Sequence, residues 1–572
     1  MLAKYALTVS ASGGEMVLFN QLEGEEVVSR MNYSKERGVL RRMGLGGAGI
    51  AMLASVVTLG ALPTMSASAA NGVNSSSACK STPVKGGNLV YARQTGPSTL
   101  DPFYPTNGNG DIFADTLLYQ GLVMPDPKGA TQNVVPAVAS SWTMSPDGLT
   151  YVFHIRPGIK FSNGQPVTAA DVVYSLDTFA NPKVDETAVL SGGFKSAVAV
   201  NSSTVKMTLS EPTPGLLYNM SIFDAFIVPQ NLVVKEGKAF WNNPVGTGPF
   251  KLSKWVRGSS ISFVRNPYYW EPGLPYLNSV TYQYASNDNT RLLDLQNGQA
   301  QIADGIPYSQ VQTVQSSSNL TLQSAKVPYW VGMWMNFKDK PLADLDVRKA
   351  MEYAINRPLI NTSVFKGLGT IPNSVLPQLK YDAPNSVVAP YTYDLKKAKQ
   401  YMAESGYPKG FSVTFQYPSG FTEYTNLVLI LQAEWAAIGI NVKLISEDQA
   451  TMTSLYMKGQ YDLTFPYAEF TSDVTVPDEY AAFVTTYGGG GYSFYSWWND
   501  PTIAKMVTTF THTPSEASRA IQWPKIQAAM QDQTPFINIM DLPFLNAHQN
   551  NVCGTYLDPL GADSLQYTWI AK

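Results

Sequence analysis

Polar and apolar side chains alternate along Thr150-Tyr151-Val152-Phe153-His154-Ile155. Successive side chains of an extended chain point to opposite faces, so this period of two predicts a half-buried strand. The same period recurs over 203–209, and Gly87-Asn88-Leu89-Val90-Tyr91-Ala92 predicts another strand. A helix is predicted over 111–119, behind polar residues that can cap it. After Leu345 the period lengthens: 347–355 is amphipathic, and 394–405 sets Leu395, Ala398, Tyr401 and Met402 on one helical face, with Gly406 as its stop. A strand at 412–417, a helix at 424–438, a strand at 441–446, a helix at 451–458 and a strand at 462–466 follow. Such alternation predicts a mostly parallel α/β sheet covered on both faces. No short-period repeat or low-complexity tract interrupts it.

Composition narrows the class. Charged residues make up 15% of the chain and aromatics 12%, a globular balance rather than a disordered one. A formal net charge of -3 gives no pull toward phosphate backbones, so nucleic acid is not an expected partner. At the N-terminal end, Lys35, Arg37, Arg41 and Arg42 precede a mostly apolar run from Met43 to Leu62, and Ala67-Ser68-Ala69 supplies an A-x-A cleavage site. This is the anatomy of a secretory leader over 31–69, with a membrane anchor as the competing reading. Residues 1–30 resemble no targeting element and are expected to be an upstream extension before Met31; 70–84 reads as a flexible tether. Export to the periplasm or the outer face of the envelope, with membrane association as a possibility, is the expected location.

The two cysteines, Cys79 and Cys553, lie far apart. In an oxidising compartment they can join and pin both ends of the mature chain to one lobe. Two other readings stand beside this: a lipid on Cys79, although Ser76-Ser77-Ala78 lacks the apolar residue that modification favours, or two free thiols.

Several motifs of enzymes are present only in form. Gly44-Leu45-Gly46-Gly47-Ala48-Gly49 satisfies G-x-G-x-x-G but sits in the leader with no strand before it. Ser203-Thr204-Val205-Lys206 satisfies S-x-x-K on a segment patterned as a strand, where the two side chains do not share a helical face. The three histidines, His154, His512 and His548, lack metal-motif spacing. No catalytic residue, metal or cofactor is expected.

Four blocks carry a resemblance. They are VPAVASSWTMSPDGLTYVFHIRPGIKFSNGQPVTAADVVYSL (135–176), VGTGPFKLSKWVRGSSISFVRNPYYW (245–270), DLDVRKAMEYAIN (344–356) and the α/β stretch 394–462. In order and spacing they resemble the family 5 extracellular solute-binding proteins of ABC importers, the oligopeptide-, dipeptide- and nickel-binding class, over nearly the whole mature chain. Within the first block the resemblance implies a small-residue helix before Trp142, a turn at Asp147-Gly148, and a helix capped by Thr168. Gly246 and Gly248 permit tight backbone geometry.

The resemblance implies an α/β, two-lobed periplasmic-binding-protein-like fold (type II, cluster C) with a hinge. Lobe one would comprise 85–134, 225–336 and 541–572, with an extra subdomain at 135–224; lobe two would span 337–540. It also implies a monomer that closes over a small ligand, an oligopeptide or an oligosaccharide, and delivers it to importer permease subunits. Thr99-Leu100-Asp101-Pro102 resembles the family's S-L-D-P turn, after which a loop carrying Tyr104, Thr106 and Asn107 reaches the cleft. Gln449 falls where peptide-binding members carry a ligand-facing Trp, and Tyr467 near another family aromatic. The family Asp that pairs with a peptide ammonium has Asp473 as its counterpart after a two-residue shift, or Glu469. Trp330 and Trp334 before the hinge, and Trp497, are stacking candidates with packing as the alternative. A charged ligand terminus needs a buried countercharge: Asp473 or Glu469 in that role favours peptides, and neither favours an uncharged solute. A secreted hydrolase or an extracytoplasmic sensor on the same scaffold are the rival functions.

Overall fold

The computed structural model describes residues 8–12, 15–22, 25–30, 79, 82–103, 109–126, 133–184, 191–222, 225–376, 381–465, 477, 496–557 and 565–572. The leader at 31–69 therefore lies outside the described residues. The chain divides into two units, Met1–Ser68 and Ala69–Lys572. In the first, Thr8–Ser12, Glu15–Leu22 and Glu25–Arg30 form an antiparallel three-stranded meander.

The second unit is organised by one ten-stranded mixed sheet. Its strands are β1 (Asn88–Arg93), β2 (Phe250–Val256), β3 (Ser260–Arg265), β4 (Ser279–Tyr284), β5 (Ile302–Ala303), β6 (Leu320–Met335), β7 (Phe411–Pro418), β8 (Ile440–Glu447), β9 (Leu463–Thr464) and β10 (Phe536–Gln549). Across the sheet they lie in the order β2-β3-β4-β1-β5-β10-β6-β9-β7-β8. At one end β1 runs parallel to both β4 (Leu89↔Val280) and β5 (Tyr91↔Ile302). At the other, β7 runs parallel to both β8 (Val413↔Val442) and β9 (Phe415↔Leu463). Between these two parallel blocks stand β6 and β10, antiparallel from Leu320↔Gln549 to Trp334↔Phe536.

Each parallel block has its own core. Around the first, Leu89, Phe113, Leu118, Phe250, Phe263, Val280 and Tyr282 are buried together. Around the second, Met351, Phe415, Leu431, Trp435, Ile440, Phe510 and Trp523 are buried together. β6 and β10 pass from one lobe to the other, and a smaller cluster holding Ala92, Leu295, Ala303, Leu320, Leu545 and Ala547 fills the space beneath their first-lobe ends. The architecture is the two-lobed α/β fold that the family resemblance implies, and the parallel β7, β8 and β9 are the part that the alternation downstream of Leu345 predicts.

A separate four-stranded antiparallel sheet forms the extra subdomain, in the order Ala139–Met144, Thr150–Ile155, Thr204–Leu209, Phe194–Asn201. Here the structure corrects one expectation. The small-residue run before Trp142 is a strand, not a helix, with Ala139 opposite Ile155 and Trp142 opposite Phe153. The Asp147-Gly148 turn, with Gly148 at φ 72°, folds this run back on its neighbour, and cross-strand burial overrides the helix propensity of alanine. Thr168 caps the Ala169–Phe179 helix in a capping box with Asp171. A second, smaller correction concerns Gly406. The Leu395–Glu404 helix is stopped by extended backbone at Ser405, and the Gly406 N–H donates to Asp344 at 2.9 Å.

Gly246 and Gly248 sit where the chain presses on the end of the Asn109–Leu118 helix. Gly248 N–H donates to Leu118 O at 2.9 Å, and Asn266 Nδ2 donates to Gly248 O at 2.8 Å. A Cβ on either glycine would overlap the Leu117–Leu118 backbone. We expect Gly248→Ala to cost about 1–3 kcal/mol through overpacking, read as a lowered midpoint in chemical denaturation.

Cys79 and Cys553 are joined as a disulfide with a Cα–Cα distance of 5.4 Å, packed with Trp569 and Ala571. The bridge closes a loop of 474 residues, so most of its effect falls on the unfolded chain. Reduction should lower stability by about 2–4 kcal/mol. A Cys79→Ser/Cys553→Ser double variant should show a melting temperature that no longer responds to reductant.

Candidate ligand cleft

In open α/β sheets, ligands bind beyond the carboxyl ends of parallel strands, where loops leave the sheet and backbone groups are free to recognise them. Both lobes contribute such ends. The first offers Arg93, Ser286 and 304–308 after β1, β4 and β5; the second offers 419–423, Gln449 and Phe465 after β7, β8 and β9. The two sets approach one another closely. The Tyr308 N–H of the first lobe donates to a Glu423 carboxylate oxygen of the second at 2.8 Å. A Cβ on Gly420 would stand 3.3 Å from Ser286 O.

The first-lobe side is held by a buried charge cluster. Asp304 pairs with Arg93 at 3.2 Å and with Arg291 at 3.2 Å, and accepts the Gln94 N–H at 3.0 Å. Arg291, fully buried, also donates to the carbonyls of Ala285 (2.8 Å), Ser286 (3.0 Å), Asp304 (3.0 Å) and Gly305 (3.3 Å). The Arg93 guanidinium lies 3.9 Å from the centre of the Phe113 ring. Burying one carboxylate between two guanidiniums costs desolvation that only full hydrogen bonding offsets. Here it locks three strand-end loops into one geometry.

Between the lobes is a cavity of about 60 Å³. The first lobe supplies Asp288 and 305–308, β6 and β10 supply Val331, Leu542, Phe544 and Leu545, and the second lobe supplies Phe365, Phe421, Glu423, Tyr424 and Leu427. Tyr308 is held by its hydroxyl, which donates to Pro543 O at 2.9 Å, and by an edge-on contact with Phe365. Burial raises the Glu423 carboxyl above its usual range; Asp288 adds to this, while the Tyr308 and Ser309 N–H groups oppose it.

The residues expected from sequence divide three ways. Tyr104, Thr106, Asn107, Tyr467, Glu469 and Asp473 lie outside the described residues. Trp330 and Trp334 belong to the second-lobe core and not to an open stacking surface: they are 0% and 2% exposed, with Phe536 packed against both rings at 5.6 and 4.9 Å. They alternate along β6 with side chains that the sheet buries, and this packing decides their role. Trp497 is half-buried, holds Lys338 Nζ 3.6 Å from its ring centre, and fills the space beside Gly459, so it too packs within its own lobe. Gln449 stands at a cleft strand end, half-buried, with Nε2 donating to Thr453 Oγ1 at 3.2 Å. Sequence reasoning missed Arg93, Arg291 and Asp304, and missed Asp288 and Glu423. Arg93 directly follows the strand predicted over 87–92 and Glu423 directly precedes the helix predicted over 424–438, while no element is predicted around Asp288, Arg291 or Asp304; the Arg93–Asp304 and Tyr308–Glu423 contacts join segments far apart along the chain.

Among the described residues no cluster of His, Cys, Asp or Glu is placed to hold a metal ion, and no helix is long and apolar enough to cross a membrane. The S-L-D-P-like turn is present: the Asp101 N–H donates to Thr99 Oγ1 at 3.0 Å and Asp101 Oδ1 accepts from the Phe103 N–H at 3.2 Å.

With this geometry in view, comparison with known proteins is direct. The family model of bacterial extracellular solute-binding proteins, family 5 Middle, matches residues 133–492. The chain belongs to this family. It is 29% identical over 488 residues to the glutathione-binding protein GsiB of Escherichia coli O1:K1 / APEC, covering 82% of this chain and 92% of GsiB. Among solved structures it is similar to AgaA of A. tumefaciens R10 bound to agropinic acid, with a TM-score of 0.78 and 27% identity over 85% of this chain and 99% of AgaA. The oligopeptide-binding protein AppA of Bacillus subtilis, solved with a nonapeptide, shares the fold with a TM-score of 0.78 at 23% identity, covering 86% of this chain and 100% of AppA.

Burial pushes the Asp101 carboxyl up to about 6 against the downward pull of the Phe103 N–H and Lys238, and burial pushes Glu434 up to about 7 against Asn356 and Arg357. The native state therefore keeps protons that the unfolded chain has already released. This contribution is complete below about pH 4, the unfolded range, and is lost as pH rises through the native values. Relative to wild type, Asp101→Asn and Glu434→Gln should each flatten the fall in melting temperature between about pH 4 and pH 7. Parallel pH profiles for variants and wild type would remove these two carboxyls as its source.

Proposed function

We propose that the chain is the extracytoplasmic solute-binding component of an ABC-type importer, closing its lobes over a peptide-like ligand and delivering it to the permease. The observation that carries this reading is the placement of both sets of parallel-strand carboxyl ends against each other, joined by β6 and β10. Rotation about two connecting strands opens or closes such a cleft without breaking either core, and a ligand held by both lobes favours the closed form. No catalytic step is assigned to it.

The choice of a peptide-like ligand rests on relatives and on the cleft wall. GsiB is named for glutathione, AppA was solved with a nonapeptide and AgaA with agropinic acid. The cleft wall presents the half-buried Glu423 carboxylate, a group able to pair with the ammonium of such a solute. The oligosaccharide alternative drew on Trp330, Trp334 and Trp497, and their engagement in packing weakens it. Within this reading, 85–134, 225–336 and 541–572 form lobe one, 135–224 the subdomain and 337–540 lobe two. Tyr104, Thr106, Asn107, Gln449 and Tyr467 contact the ligand, and Asp473 or Glu469 receives its terminal ammonium. Residues 31–69 act as an export leader, 1–30 lie upstream of it, and 70–84 tether a monomer that needs no cofactor.

Native mass spectrometry of the purified protein and a thermal-shift screen test this. A peptide, glutathione or opine should raise the melting temperature by mass action on the folded state, and maltooligosaccharides should not. A flat response across the peptide, glutathione and opine sets, with a shift from sugars, would transfer the protein to the oligosaccharide class.

A further inference from the structure

The two cores also meet outside β6 and β10, through a pair of titratable side chains. Glu211 follows the Thr204–Leu209 strand of the four-stranded subdomain, whose Leu209 is buried in the first core. His512 ends the Pro501–Thr511 helix, whose Phe510 is buried in the second. His512 Nε2 lies 3.0 Å from Glu211 Oε1. The carboxylate is set in place by its backbone. Ser210 N–H donates to Gly193 O at 2.8 Å, Thr213 Oγ1 donates to Gly192 O at 2.7 Å, and a Cβ on Gly193 would stand 3.0 Å from Glu211 Cγ. The other ring nitrogen, Nδ1, lies 2.6 Å from Thr508 O, a carbonyl of the last helical turn. Thr511 Oγ1, 3.4 Å from Nδ1, gives its own proton to Thr508 O at 3.1 Å. A backbone carbonyl only accepts, and so does an ionised carboxylate. A neutral imidazole has one N–H, so it would turn a lone pair toward one of these two oxygens. Protons on both nitrogens satisfy both, and the carbonyl end of a helix favours the resulting cation. The geometry is that of an imidazolium.

Other charges stand on the same elements. Lys505 lies about two turns back along the His512 helix and is exposed. On the Glu516–Gln533 helix, Arg519 donates to Phe510 O at 3.2 Å and Glu516 accepts from the Tyr381 hydroxyl. Lys195, on the strand beside Thr204–Leu209, is exposed. Among the described residues Glu211 is the group in ion-pair contact with His512. We propose that His512 and Glu211 form a pH-sensitive latch, which holds the subdomain against the second lobe while the imidazole carries its second proton. Neither residue belongs to β6 or β10, so rotation about those strands separates the pair without disturbing either core. The latched form holds its proton more tightly than the unlatched form. Acidification therefore favours the latch, and a rise in pH through the range where imidazoles lose their charge releases it. Carboxylates and imidazoliums coexist between about pH 4.5 and 6.5. The side chains of His512 and Glu211 are 26% and 49% exposed, so solvent screens the pair. Its effect is of the order of a two- to fivefold change in the ratio of closed to open molecules. Glu423 also joins the lobes, at the Tyr308 N–H, and burial raises its carboxyl; variants at His512 and Glu211 leave that contact in place and so separate the two titrations. Use of the latch to tune capture and release of a solute rests on the solute-binding reading; the latch itself does not.

The chain has three histidines, so NMR of the full chain labelled in histidine can follow each ring, with His512→Gln assigning its signal. The His512 titration midpoint in wild type is expected above that in Glu211→Gln by about 0.3 to 0.7 on the pH scale, a two- to fivefold difference in proton affinity. Small-angle X-ray scattering without added solute, at about pH 5.5 and about pH 8, reads closure. Wild type should be the more compact at the lower pH, and His512→Gln and Glu211→Gln should show no such difference. His512→Lys, a cation at both values, should stay compact at both. Circular dichroism checks that the variants fold, and should one fail, the others carry the test. A His512 midpoint that Glu211→Gln leaves unmoved, equal wild-type scattering at the two values, or a pH response that survives in His512→Gln would overturn the proposal. A protein whose melting temperature responds to peptides or glutathione, but whose scattering ignores pH, loses the latch and keeps the solute-binding reading. A pH response carried by these two side chains, with no response to any solute, keeps the latch and removes that reading.

Discussion

The antiparallel pairing of β6 with β10 is the constraint on which the molecule depends. It runs from Leu320↔Gln549 to Trp334↔Phe536 and places a first-lobe end and a second-lobe end on the same two strands. Each lobe then adds its own parallel block to one side of this pair: β5 joins β10 at Ile302↔His548, and β9 joins β6 at Trp334↔Thr464. The sheet is continuous, but the apolar cores above it are two. A continuous ladder under divided cores keeps the register of the cleft while leaving the lobes able to move against each other.

The charge cluster at Asp304 answers a local problem that this arrangement creates. Loops leaving β1, β4 and β5 carry carbonyls that no strand partner satisfies, close to a space where solvent is displaced on closure. Arg291 satisfies four of them, and Asp304 pairs with both arginines. Removing Asp304 leaves two buried guanidiniums without their shared carboxylate, the condition proteins tolerate least.

Much of this was legible in the sequence, for identifiable reasons. The period-two strand at Thr150–Ile155, the amphipathic helix at Leu395–Glu404 and the alternation from Phe411 to Thr464 are local patterns, and local patterns survive folding. The run before Trp142 was misjudged because alanine and serine fit a helix as well as a covered strand, and only pairing with Thr150–Ile155 decides between them. The tryptophans of β6 were ambiguous for the same reason: burial by Phe536, two hundred residues onward, has no trace in their neighbourhood. Asp288 and Glu423 illustrate the limit most clearly. Nothing in their own neighbourhoods links them, and only the folded lobes bring both to the wall of one cavity.

Chain order gives the sheet an unusual schedule. β5, at residue 302, waits for β10, at residue 536, before its outer edge is covered, and Cys79 waits for Cys553. A polypeptide delivered from its N-terminal end must therefore hold the first lobe unfinished while the whole second lobe passes. During that interval the edge of β5 beside Ala303 stands uncovered, and the last segment to arrive seals both lobes together.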